Sequence, residues 1–295
     1  MISGERQLEL QNSLYASSNP TRRYLHCARR DWVLSAIEEA TFAEVAAEIG
    51  PGSGVYLDAL QAKCRQLLAV DHEKSFLDGP AGQPSAVLIE EPLDEVSARS
   101  GGAKPYPAAS AGQEDSAGSH MGGDTVSSPL CLLGALPELP LADQSVDLLL
   151  CSEVIEHITD TQSQLAELAR ILKPDGTLIL TTPQPASPLE VLGKVAFLPG
   201  IIHLLRVIYR EPIEPTGHIN VVSRGALESA ILKVGLVIRR RSTMGFYLPL
   251  IGEFGGSAGQ RLLAWIDTRL QNTGLSLLLW TQCYVLQRST KAMDE

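Results

Sequence analysis

Three glycines at alternate positions, Gly50, Gly52 and Gly54, stand in the stretch AEIGPGSGVY directly behind an apolar run. Glycine weakens regular structure and loses the most conformational freedom on folding, so such a cluster marks a turn with positive φ or a backbone that a ligand must touch. Residues 42–50 (FAEVAAEIG) read as a buried strand running into the turn. VYLDALQAK fits a helix that opens directly after the glycines, and QLLAVD (66–71) fits a second strand. The unit is therefore strand, turn, helix, strand, with the glycines at a strand's carboxyl end. Open α/β sheets bind their ligands at that end.

The rest of the chain continues the alternation. PLCLLGA, VDLLLCS (146–152), TLILTTP (177–183), LVIRRRSTM and WTQCYVLQRS read as strands. TQSQLAELARIL (161–172), SRGALESAILKVG and SAGQRLLAWIDTRLQ read as helices, the first with Leu165, Leu168, Ala169 and Leu172 on one face. This pattern predicts an α/β fold with one seven-stranded, mostly parallel sheet and helices on both faces.

Residues 1–41 form an N-terminal helical segment in this reading, with a helix over 20–40 whose inner face carries Trp32, Val33 and Ile37. Residues 42–295 form the main domain. Within it, 78–129 reads as a flexible, disordered insertion: SARSGGAKPYPAASAGQEDSAGSHMGGDTVSSP is rich in Gly, Ser, Ala and Pro, and SAVLIEEPLDEVSA before that stretch suits a short helix. A solvated linker is the plainer reading of this insertion and a ligand-covering lid the functional one. Residues 188–215 read as an apolar helical cap. Its longest apolar stretch contains Lys194, Pro199, His203 and Arg206, which does not suit a membrane-spanning helix. With Phe246, Tyr247, Leu248, Leu250 and Phe254, the cap either buries its own face or roofs a lipophilic acceptor or a peripheral membrane contact.

Charge narrows the partners. A formal net charge of −10 argues against a nucleic-acid surface. Cys27, Cys64, Cys131, Cys151 and Cys283 are scattered and lack ligand spacing, so they read as reduced core thiols of a cytoplasmic protein, and no metal site is expected. No signal peptide is visible at the N-terminus. Arginines 22, 23, 29, 30 and 239–241 read as solvated faces.

The chemistry rests on Glu48-Ile49-Gly50-Pro51-Gly52-Ser53-Gly54, an ExGxGxG, and on Asp71, 17 residues past Gly54. Missing side chains let backbone approach a nucleoside, and an acid on the adjacent strand end can accept from both ribose hydroxyls. The spacing differs from the dinucleotide GxGxxG, whose helix N-terminus receives a pyrophosphate. Glu48 would oppose phosphates and suits a cationic ligand instead.

At this point the chain resembles the class I S-adenosylmethionine-dependent methyltransferases, in particular those similar to the quinone-biosynthesis enzymes. EIGPGSG resembles the family's cofactor loop, and Asp71 its ribose-binding acid. LPELPLADQSVDLLLCSEVIEHI resembles the segment around the fourth strand, and ILKPDGTLILTTP the following helix, turn and strand. TGHINVVSRGALESAILKVGL resembles a later His-containing loop and helix.

The resemblance implies a Rossmann-like fold and S-adenosylmethionine as cofactor, bound by Glu48, Gly50, Gly52, Gly54, Asp71, Ala135, Leu136, Ser152 and Glu153. Ala135 stands where the family has an acid that reads the adenine amino group, leaving Leu136 and Leu139 to frame the ring and Glu138 as a substitute acceptor. The implied activity is methyl transfer to a small, apolar O or N acceptor, with His157 and His218 as candidate bases. Each histidine has a plainer structural reading, at a helix start or in a loop. Two rival readings are a non-catalytic member that binds cofactor or partner without turnover, and a nicotinamide oxidoreductase, which the glycine spacing disfavours.

Overall fold

The computed structural model describes residues 15–73, 87–89, 129–196, 218–271 and 273–289. Eight strands form one sheet: β1 (Ala43–Ile49), β2 (Cys64–Asp71), β3 (Val87–Ile89), β4 (Leu130–Leu133), β5 (Val146–Ser152), β6 (Leu172–Pro183), β7 (Leu236–Met244) and β8 (Thr281–Arg288). Their order is β3-β4-β2-β1-β5-β6-β8-β7. All neighbours are parallel except β6 with β8 and β8 with β7. The expected Rossmann-like α/β sheet is present, with the seven expected strands and one short strand more. From β1 the chain builds outward through β2, and it later returns to lay β5 on β1's other side. In open α/β sheets ligands bind at the strand carboxyl ends beside such a reversal, which here are those of β1 and β5.

Alternation along the central strands explains why helices cover both faces. Ala46, Leu148 and Leu150 share one cluster with Val33 and Ile37 of helix α1 (Pro20–Glu39) and Leu60 of α2 (Leu57–Gln61). The intervening Ala47, Leu149 and Cys151 join Leu165 and Leu168 of α3 (Thr161–Ile171) and Leu227 and Ile231 of the helix Arg224–Lys233 on the other face. Each fully buried leucine or isoleucine contributes about 1.5–3 kcal/mol. Local chemistry fixes the helix starts: Asn19 Oδ1 accepts from the Thr21 and Arg22 amides, with Pro20 in the first turn, and Asp160 Oδ1 accepts from Gln162 and Ser163.

Three expectations change. The stretch SAVLIEEPLDEVSA, expected to suit a helix, instead carries β3, which pairs with β4 as a short edge strand. The KPDG turn is absorbed into β6, which begins at Leu172, and Asp175 takes φ +60° there. Arg29 is not on a solvated face but buried.

Phe246 and Tyr247 pack with Leu25, Leu263, Leu279 and Trp280 in a third cluster, so they belong to the core, whereas Phe254 is exposed. Of the expected cap, α4 (Pro188–Ala196) is helical, while 197–215 lies outside the described residues. The disordered-insertion reading of 78–129 likewise falls outside them, apart from β3 and Pro129. Among the described residues no helix is long and apolar enough to cross a membrane.

Candidate functional site

Strand β1 ends in a cradle made almost wholly of backbone. Gly50, Gly52 and Gly54 take φ of +68°, +50° and +69°, a region that favours glycine. The Gly50 amide donates to the Val70 carbonyl at 2.8 Å, and Gly54 closes a turn onto the Pro51 carbonyl at 2.8 Å. A Cβ on Gly50 would meet Val154 Cγ2 at 2.6 Å, so the turn packs against the chain leaving β5.

Beneath the turn lies Glu48, which is 2% exposed. Its Oε2 is buried and makes no hydrogen bond. Burial, with the Asp71 carboxylate adding to it, pushes the Glu48 carboxyl up to about 8. A buried acceptor with no partner is expensive to keep. A cationic donor brought to the turn would supply what is missing.

Asp71 closes β2 beside β1 and is also buried. Its Oδ1 accepts from the Glu73 amide at 3.0 Å and lies 2.9 Å from His72 Nδ1. Burial raises its pKa, against the lowering effect of the Glu73 amide and His72. The next strand, β4, leads to Gly134, whose amide donates to the Asp71 carbonyl at 2.9 Å. Ala135 then bridges to Glu138 in a tight antiparallel turn. Leu136 and Leu139 are buried, while Ala135 and Glu138 are exposed.

A polar chain of residues occupies the carboxyl ends of β5 and β6. The Ser152 hydroxyl lies 2.9 Å from Thr181 Oγ1, which donates to Glu153 Oε1 at 3.1 Å. Glu153, at φ +58°, pairs with Arg29 of α1, and the guanidinium also lies over the Trp280 ring at 5.6 Å. Glu156 is fully buried, accepts from Thr182 Oγ1 at 2.9 Å and is pushed well above the carboxylate range by burial and then by Glu153.

The Glu156 carbonyl accepts from the Ile219 and Asn220 amides, which brings His218 up to the strand ends. The His157 and His218 rings meet edge to face at 5.3 Å. Glu190 of α4 stands behind His218, 3.0 Å from Nδ1, and also accepts from Trp280 Nε1 at 3.1 Å.

The structure thus brings the expected residues into two neighbouring groups. Glu48, the three glycines, Asp71 and Leu136 stand at the ends of β1, β2 and β4, and Ser152, Glu153, His157 and His218 at the ends of β5 and β6. Arg29, Thr182, Glu190 and Trp280 were not foreseen. Only Glu190 carried a signal, as a charge inside an apolar helix.

Residues 109–180 match the family model described as a methyltransferase domain. A Mycobacterium tuberculosis protein named a probable S-adenosylmethionine-dependent methyltransferase is 32% identical over 102 residues, 35% of this chain and 31% of that protein. Over these matched stretches the chain is similar to S-adenosylmethionine-dependent methyltransferases. The demethylmenaquinone methyltransferase of Lactobacillus johnsonii is 39% identical over 61 residues, 20% of this chain and 25% of that protein.

The match covers less than a third of the length of these curated relatives. A solved complex of the Trm112 methyltransferase activator of Haloferax volcanii with a methyltransferase aligns over 97% of this chain and 94% of that one. At 15% identity and a TM-score of 0.51, that likeness concerns the methyltransferase fold. The matched methyltransferase domain begins beyond the glycine turn and Asp71 and ends inside β6.

Proposed function

We propose that the protein transfers a methyl group from S-adenosylmethionine to a small apolar acceptor through an oxygen or nitrogen nucleophile. The observation that carries this reading is the buried, unpartnered Glu48 oxygen beneath three left-handed glycines, with Asp71 on the neighbouring strand end. The donor set fits the cofactor. Glu48 would compensate its ammonium, Asp71 would accept from the ribose hydroxyls, and the glycine backbone would lie against the chain joining them. Leu136 would pack on the adenine, with Ala135 and Glu138 at its edge, while Ser152 and Glu153 would line the methyl side. When bound, the cofactor supplies a methyl group already activated on a sulfonium.

The protein's own part is then largely alignment, which supplies much of the rate in a displacement of this kind. Glu153, held by Arg29 and Thr181, gives the methyl side a fixed negative wall. His157 and His218 would take up the acceptor proton, since a neutral imidazole can act as a general base. Val191, Leu192 and Ile219 are exposed beside Glu190 and His218, which supports an apolar acceptor body. The relative named for demethylmenaquinone supports a small-molecule acceptor. A second reading, binding without turnover, rests on Ala135, whose methyl offers no acceptor to the adenine amino group.

Calorimetric titration of S-adenosylhomocysteine, with labelled S-adenosylmethionine offered alongside small hydroxylated and amino acceptors, tests both readings. Binding with label transfer supports the enzyme. Binding without transfer to any acceptor, a cell extract included, supports the second reading. No binding overturns both.

A further inference from the structure

We propose that Glu156, His157 and His218 form a binding site for one divalent transition-metal ion of the zinc and cobalt type. Their ligand atoms lie within 4.8 Å of one another, and the Glu156 Oε1 to His157 Nε2 distance is 4.0 Å. Two imidazoles and one carboxylate suit zinc, cobalt, nickel or iron rather than magnesium or calcium, which take oxygen ligands. Bonds of about 2.0–2.2 Å bring ligand atoms to roughly 3.5 Å apart. The three side chains must therefore close by about 1 Å. His157 is 43% exposed and has room to do so.

Two further observations point the same way. Glu156 Oε1 is buried and makes no hydrogen bond, although its partner oxygen is held by Thr182. A cation between the two histidines would satisfy that atom. His218 also has the support expected of a ligand. Its Nδ1 lies 3.0 Å from Glu190 Oε1, and a proton shared along that contact leaves Nε2 as the ligand atom. A carboxylate behind a histidine fixes its tautomer and orientation in metal sites. Trp280 Nε1 donates to the same Glu190 oxygen and holds it in place. Among the described residues three protein ligands leave a fourth position open, as catalytic zinc sites do.

The cation binding goes beyond methyl transfer and does not depend on it. An acceptor oxygen at the open position would depend on that reading, and a metal-bound His218 would then act as a ligand and not as a base.

The test uses the full chain, stripped by a chelator and titrated with Co2+ and Zn2+ alone. Ligand-field absorption reports the coordination, and metal analysis gives the stoichiometry. One ion per chain is expected. His157→Ala and His218→Ala should each abolish the cobalt spectrum. Glu190→Gln should weaken binding about 10- to 100-fold. Melting curves check that each variant is folded, and His157→Ala, the most exposed of the three, decides if the others are not. No bound ion, a cobalt spectrum unchanged in His157→Ala, or a preference for Mg2+ over Zn2+ would each overturn the proposal.

Discussion

Arg29 Nη1 lies 2.8 Å from Glu153 Oε2, joining the N-terminal helix to the residue that follows β5. Both side chains are largely buried, at 10% and 15% exposure. Burial, the largest single effect, would lower the arginine's pKa, but Glu153 together with Tyr56 and Tyr15 outweighs it and the net shift is upward. Removing one member of such a pair strands the other charge and costs about 3–5 kcal/mol. Arg29→Met should show a loss of that size in urea unfolding. Glu153→Gln in the same chain should recover most of it. Losses that simply add would mean that the two side chains do not depend on each other.

Glu48 makes stability depend on pH in an uncommon direction. Its folded pKa of about 8 lies above the ordinary 4.5. Between those values the folded protein holds a proton that the unfolded chain has lost. Stability from this group is therefore complete below about 4.5 and falls as pH rises to about 8, by at most roughly 1.4 kcal/mol per unit. Asp71 faces the carboxyl from β2, and Tyr56 and Cys151 lie within its field. A bound ammonium would drive the proton off. The calorimetric enthalpy of S-adenosylhomocysteine binding at pH 7 should then vary with the buffer's ionisation enthalpy. Glu48→Gln should remove both effects, and a binding enthalpy independent of buffer would count against an ammonium over Glu48.

Gly52 sits at φ +50°, where a β-branched residue is strained. Gly52→Val should abolish S-adenosylhomocysteine binding by reshaping the turn. Retained binding would place the ligand away from it.

Asp71→Ala should weaken the same ligand while leaving the fold intact. Hydrogen bonds to a charged acceptor are worth about 1.5–3 kcal/mol. The expected loss is therefore about 10- to 100-fold in Kd. Unchanged affinity would put the ribose elsewhere.

Much of the fold was legible because its strands are buried runs bounded by turn residues and its helices carry one apolar face. The glycine turn and Asp71 could be paired because strand, turn, helix and strand follow one another within 30 residues, 42–71. Strand β3 was not legible, since three residues show no period. Arg29 looked like a surface charge because its partner lies 124 residues away and only the packing of α1 brings them together. The grouping of Glu156 and His157 with His218 spans up to 62 residues, so no short ligand spacing announces it. Periodicity reports which face is buried. It says nothing of which buried polar groups meet.

The position of β8 between β6 and β7 bears on how the polypeptide assembles as it is synthesised. Among the described strands β7 pairs only with β8, although β7 is made first. Residues 281–288 must therefore enter as a wedge against β6 before the earlier strand can dock. A nascent chain that has not yet delivered Thr281 presents a bare edge of β6 with Leu178, Ile179 and Leu180 along it. An unpaired apolar edge is where non-native association begins. The interval before the last strand emerges is when this protein most needs protection by a chaperone.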